Sequence, residues 1–398
     1  MKTENRNAEW VLSSDALKLL VILDAFIWFV AALHWGSALG DFSVLYTAGG
    51  VILEGHRTQL FDVPTQIEFQ QRILGMHKFL PFNHLAYESL FFIALALLPF
   101  RWGLWIWRAL SLGMLLLSTR LLADSFHVVR AHLLALSLAL FPIIVAVLQG
   151  QDSILLLLLL TASLATLNKG KDRLAGILLA FALFKPHLIL PIAAVLVWRR
   201  GYRFSQGFLG GSAVVFLLST GITGLKGWKQ LADLMRYAAS GTGDQIGGVA
   251  KLRPNLRGIM DLSGVSVHTA LILTVVISAV LFLLVAWHLR NQRSPEVLFP
   301  PLAALALVTS IHVNTHDLSL LLIPIVAMLV QKRKAAALVA GACFCMPLFS
   351  IAGYPALFFF VICAALFLTT FAGTSGHDQW SSTAEADEHL NTCASNRA

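Results

Sequence analysis

The chain has 398 residues, 57% of them hydrophobic and 13% charged, with a formal net charge of +8. Its apolar residues run in long blocks separated by short basic clusters, which excludes an ordinary soluble domain and points to an all-α polytopic membrane protein. The positive charge sits mostly in short loops between those blocks, where it sets topology, so no nucleic-acid partner is expected.

Cys343, Cys345 and Cys363 lie inside apolar runs and Cys393 in the polar tail, so no disulfide framework is visible. Lys2, Arg6 and Lys18 precede the first apolar stretch, as in a signal peptide. Asp24 within that stretch and the long polar leader favour an uncleaved first span.

A spanning helix needs about 20 apolar residues, so span 1 is residues 16–35, running outward from a basic cytoplasmic leader. Residues 36–100 form a long first outer loop. Within it Phe42, Leu45, Tyr46, Gly49, Ile52 and Leu53 share one face at helical spacing, which predicts an interfacial helix. A second short helix starts near Asp62, with Pro64 in its first turn and Gln66, Glu68, Gln70 and Gln71 too polar for lipid. Residues 84–99 are apolar enough to cross. If they crossed, the basic clusters at Lys169-Lys171-Arg173 and Arg199-Arg200-Arg203 could not both be cytoplasmic, so residues 84–99 are laid along the outer surface, ended by Pro99.

Residues 102–122, 131–148 and 154–167 are the next three spans. Residues 174–198 are basic at both ends and broken at Lys185-Pro186-His187, which implies a hairpin with halves of about 12 residues, too short to cross. Backbone turns at membrane depth only where it is buried in protein or lines a wet cavity, so Lys185 and His187 are expected to face one. Residues 204–225, 267–287, 297–311, 318–330, 335–349 and 354–371 complete about 12 crossings, with both termini inside. Residues 226–266 form a second outer loop, containing an amphipathic piece at 228–237 and a Gly-rich basic piece at 247–257. Residues 1–372 make a single transmembrane domain, and 373–398 read as a disordered cytoplasmic tail.

On this topology Asp41, Asp62, Asn83, His84, Gln149, Gln151, Asp152, Lys185, His187, Lys251, Arg253, Arg257, His312, His316 and Asp317 all collect on the outer side. Ionisable groups in so apolar a chain are costly, and their clustering marks a site at the outer surface.

At these residues the chain resembles glycosyltransferase family 87, enzymes similar to bacterial alpha-mannosyltransferases that use polyprenyl-phosphate mannose. The resemblance rests on Gly40-Asp41-Phe42, Leu60-Phe61-Asp62, Leu80-Pro81-Phe82-Asn83-His84, Gly150-Gln151, Lys185-Pro186-His187 and His316-Asp317-Leu318, in that order. It implies a GT-C-type bundle in a bacterial inner membrane. The implied reaction transfers a hexose, typically mannose, from a polyprenyl monophosphate to a hydroxyl of a glycolipid or glycan acceptor at the periplasmic face. It also implies an Asp base in the first outer loop, matching Asp41. Leu85-Ala86 stand where the family often carries prolines.

The chemistry agrees. Inverting transfer needs one carboxylate to take the acceptor proton, and a phosphate ester leaves as a stable anion without a second acid. The leaving phosphate needs cations or oriented donors, for which Lys185, His187, Lys251, Arg253 and Arg257 are candidates. Gln151, Asn83, His84, His316 and Asp317 complete the candidate substrate-binding set. Cationic side chains suffice for a monophosphate, so the reaction demands neither metal nor cofactor. Each group also has a plainer reading. Asp41, Asp62, Gln151 and Asp152 suit helix caps, Lys185 a snorkelling lysine, His187 and His316 cavity hydrogen-bonders, and the basic group a lipid-headgroup contact. A lipid-linked sugar flippase or a polymer ligase is the competing function. The missing repeat and one-sided polarity weigh against the former, and the short late loops against the latter.

Overall fold

The structure is a computed structural model that describes residues 14–35, 40–76, 79–239, 253–331, 334–351 and 355–371. Lys251, Tyr354 and the tail at 373–398 lie outside these residues. The described residues fold into helices joined by short turns, with no strand. Among the described residues three helices are long and apolar enough to cross a membrane, at Phe100–Phe126, Tyr202–Arg236 and Val267–Asn291. Several apolar helices of 10–17 residues lie among them.

Helix α1 (Ser14–Trp35) covers the residues expected for the first span, and Trp28 Nε1 ties it to the Leu138 carbonyl at 3.0 Å. The next helix, α2 (Phe42–Leu53), departs from expectation: it is buried on both faces rather than lying half-open at an interface. Its small residues allow this. A Cβ on Gly49 would come 2.6 Å from the Phe92 carbonyl oxygen, and one on Gly50 2.1 Å from the Phe69 ring. Two neighbours therefore close on α2, namely α3 (Val63–Leu74) and α4 (Leu90–Ala96). The start of α3 is as expected, since Asp62 accepts from Thr65 N at 3.1 Å and Thr65 Oγ1 at 2.7 Å.

Residues 84–99 do not form one helix. A 3-10 turn (Ala86–Ser89) leads into the seven residues of α4, about 10 Å of rise and far too short to cross. Pro99 then opens α5 (Phe100–Phe126).

The expected third span is broken. α6 (Arg130–Ala139) and α7 (Phe141–Leu148) meet at 73° across Leu140, where Pro142 in the first turn of α7 supplies no backbone N–H. Arg108 of α5 is buried and donates from Nε to the Leu148 carbonyl at 3.0 Å, placing a cation on the end of α7. α8 (Ser153–Asn168) then runs to the basic turn at Lys169.

α9 (Asp172–Ala180) and α10 (Pro186–Arg200) form the expected hairpin, proved by its open end, where Arg200 Nη2 pairs with Asp172 Oδ1 at 2.7 Å. Its tip is held by Tyr87, whose hydroxyl donates to the Phe181 carbonyl at 2.8 Å and accepts from Phe184 N at 3.0 Å. The long α11 (Tyr202–Ala239) is kinked at Gly224, whose φ of 69° suits glycine. Beyond the kink Trp228 folds back onto Phe216, with ring centroids 4.8 Å apart.

α12 (Leu256–Leu262), α13 (Val267–His288) and the buried α14 (Pro295–Thr309) follow. A 3-10 segment (Thr315–Leu321), α15 (Leu322–Val330), α16 (Lys334–Ile351) and α17 (Phe359–Thr370) complete the described residues. Arg199 and Arg200 donate to the carbonyls of Gln292 and Arg293, so the basic groups at the ends of α10 and α13 gather at one end of the bundle. The hairpin tip with Lys185, the start of α8 and the segment after α14 meet at the other.

Candidate active site

The polar residues are brought together by two seams. In the first, α2 docks on the turn after α7: Phe42 N donates to the Gln149 carbonyl at 3.1 Å. A Cβ on Gly40 would lie 3.1 Å from that oxygen, and one on Gly150, at a φ of 68°, would lie 2.7 Å from Phe42 Cβ. The Gly40-Asp41-Phe42 and Gly150-Gln151 motifs are thus the two halves of one close contact, with Gln151 buried behind it.

In the second seam, two buried glutamines of α3 hold the stretch before His84. Gln66 Oε1 accepts from Phe82 N at 2.7 Å, and Gln70 accepts from Leu80 N at 3.1 Å while donating to the Leu80 carbonyl at 2.6 Å. Their polarity, which excludes lipid, serves as a backbone clamp that fixes Asn83 and His84.

Asp41 stands at the N-terminus of α2 but forms no capping hydrogen bond. Its side chain is 35% exposed, and its Oδ2 lies 3.7 Å from Nδ1 of the buried His316. The other ring nitrogen of His316 lies 3.7 Å from Asp317 Oδ1. The capping reading of Asp41 therefore fails, leaving a partly solvated carboxylate beside an imidazole.

Asp152 also does not cap α8. Its Oδ1 lies 2.7 Å from Lys185 Nζ, and its Oδ2 lies 3.2 Å from His84 Nδ1, which also meets Glu88 Oε2 at 2.6 Å. Lys185 further donates to Asp317 Oδ1 at 2.6 Å and Ser153 Oγ at 2.8 Å. Two of the three N–H donors of the ammonium are thus spent on Asp317 and Ser153, and its charge is also paired with Asp152. The expected phosphate contact from Lys185 is therefore revised: the lysine is a buried strut joining the hairpin tip to α8 and to Asp317. Asp317 is equally committed, because its Oδ2 accepts from Asn314 N at 2.9 Å.

The remaining candidates meet around the segment after α14. Asn255 caps α12 through Gly258 N at 2.9 Å and donates to the Ser310 carbonyl at 2.9 Å, which brings Arg253 near His312. Arg257 pairs with Asp261 at 3.1 Å. The His187 and His312 rings stand edge to face with centroids 6.2 Å apart. Burial, reinforced by the Arg253 charge, pushes His312 down to about 3, so its ring is neutral at neutral pH. The site thus offers one half-open carboxylate, neutral imidazoles and guanidinium groups, the set that proton removal next to a departing anion requires.

The model of glycosyltransferase family 87 matches residues 88–311, more than half of the chain. The chain belongs to glycosyltransferase family 87. The family match takes in Glu88, Asp152, Lys185, His187, Arg253 and Arg257, while Asp41 and His316 flank it on either side. No curated protein and no solved structure matches the chain. Within this family member, Glu88, Ser153 and Asn255 were missed by sequence reasoning, and Asp152 was read as a cap. Glu88 had one signal: it is the sole acidic or basic residue within the apolar residues 85–100, four positions after a histidine.

Proposed function

We propose that this glycosyltransferase moves a hexose, mannose by family resemblance, from a polyprenyl monophosphate to a hydroxyl of a glycolipid or glycan acceptor, with inversion. The observation that carries the reading is Asp41, an uncapped carboxylate beside the buried His316. Asp41 takes the acceptor proton as the hydroxyl oxygen attacks the anomeric carbon, the bond to the phosphate oxygen breaks, and the polyprenyl phosphate departs as an anion. His316 holds the carboxylate in place from one side.

Arg253 and Arg257, together with Lys251, neutralise the departing phosphate, and the His187 and His312 rings donate or accept hydrogen bonds without adding charge. Gln151, Asn83 and His84 border the substrate.

The proposed setting is a GT-C-type bundle of about 12 crossings in a bacterial inner membrane, with both termini cytoplasmic. Collection of Arg199, Arg200 and the Gln292-Arg293 turn at one end supports a cytoplasmic face there and the active site on the outer face. The polyprenyl tail lies among the helices, in the bilayer, and no cofactor takes part.

The test is to incubate the purified protein with a panel of labelled polyprenyl-phosphate sugars and membrane glycolipid acceptors. Acceptor-dependent release of lipid phosphate with mannose transferred supports the reading. Sugar moved between vesicle leaflets without a new glycosidic bond contradicts it.

A further inference from the structure

We propose that His84, Glu88 and Asp152 bind a divalent metal ion that fastens the segment before α4 to the start of α8. One ring nitrogen of His84 and one oxygen from each carboxylate all lie within 4.8 Å of one another. His84 Nδ1 is 2.6 Å from Glu88 Oε2 and 3.2 Å from Asp152 Oδ2. Ligands bound to one tetrahedral ion at roughly 2.0–2.2 Å stand about 3.3–3.6 Å apart, so insertion requires His84 and Glu88 to separate by somewhat under ~1 Å.

Two independent observations point to a ligand. Glu88 is fully buried, yet its Oε1 has no hydrogen-bond partner among the described residues. A buried carboxylate oxygen left unmet is costly, and a single N–H on His84 Nδ1 cannot serve both carboxylates that face it.

The second observation is Asp152, which is fully buried and neither of whose oxygens has a hydrogen-bond partner among the described residues, although Lys185 and His84 stand close to it.

One imidazole and two carboxylates suit a borderline ion such as Zn²⁺, with Mn²⁺ the alternative when carboxylates dominate. The ion's role is architectural. Asp152 leads directly into Ser153, which contacts both Lys185 and Asp317, while His84 and Glu88 flank the leucine and alanine that lead into Tyr87 at the hairpin tip. One ion therefore ties together two chain segments, each of which is already bonded to the hairpin tip. It is held whichever sugar is transferred.

The test uses the full-length protein purified in detergent, stripped with EDTA and reloaded with Zn²⁺ or Mn²⁺, with bound metal measured directly. Expected are about one ion per chain, a higher thermal midpoint on loading, and loss of the ion in His84→Gln and Glu88→Gln. The drop in affinity should exceed the roughly 10–100-fold that loss of a supporting group costs. Because His84 is partly exposed, His84→Gln keeps the test open if Glu88→Gln does not fold. Glu54→Gln, at a surface pair with Arg72, keeps the ion. Failure of the wild type to retain metal overturns the proposal, as does equal retention by His84→Gln.

Discussion

Lys185 and Asp317 meet at 2.6 Å, one from the tip of the α9–α10 hairpin and the other from the 3-10 segment after α14. The contact is fully buried and shared with Asp152. It turns the break in an apolar hairpin into the keystone of the site.

Removing one partner of such a cluster strands the others. Lys185→Ala leaves Asp152 and Asp317 buried without their cation, at an expected cost of about 3–5 kcal/mol. Replacing the lysine by Met together with Asp152→Asn and Asp317→Asn removes the stranded charges and is expected to recover most of the thermal stability. If Lys185 held phosphate instead, Lys185→Ala would raise donor KM while leaving the thermal midpoint in place. Thermal unfolding and steady-state kinetics on the same preparations separate the two roles.

Gly49 and Gly113 give a paired test of how α2 is packed. Gly49→Ala drives a methyl to 2.6 Å from the Phe92 carbonyl oxygen, which belongs to backbone and cannot step aside. A loss of about 1–3 kcal/mol is expected. Gly113→Ala, in α5 with nothing within 4 Å, is expected to be neutral or to stabilise by roughly 0.5–1 kcal/mol through the helix interior. Equal thermal midpoints for the two variants would refute the close α2–α4 approach.

The neutral His312 makes stability depend on pH. Unfolded, an imidazole takes up a proton below about 6.5, whereas burial and Arg253 hold the folded ring neutral down to about 3. Between those values the unfolded state binds more protons. Stability therefore rises as pH increases toward about 6.5 and levels off above it. At about pH 5 the contribution is about 2 kcal/mol of destabilisation. His312→Gln is expected to flatten this part of the profile, and thermal midpoints of both proteins at about pH 5 and pH 7.5 check it.

The long helices α5, α11 and α13 were legible because length and apolarity alone mark them. So was the hairpin, since two basic flanks around Lys185-Pro186-His187 leave few alternatives. The burial of α2 was not. Its one-sided apolar pattern fits an interface, and only Gly49 and Gly50 permit partners on the other side. The bend at Leu140 was hidden because a single Pro142 inside an apolar run is compatible with a continuous span.

The site was legible in its residue types and not in its pairings. Asp41 and Asp62 look alike in sequence, each preceding a short helix, yet Asp62 caps and Asp41 does not. Asp152 has the position of a cap, and its true partners, Lys185 and His84, come from distant segments that no local pattern connects. Glu88 was masked by the apolar residues around it.

Asp41 is the group on which the whole reading turns. The decisive measurement compares wild type, Asp41→Asn and Asp62→Asn for acceptor-dependent mannose transfer from polyprenyl-phosphate mannose, with donor binding measured alongside. Loss of the general base should lower turnover by about 100- to 10,000-fold in Asp41→Asn, with donor binding retained and Asp62→Asn still active. Full turnover in Asp41→Asn would contradict the account.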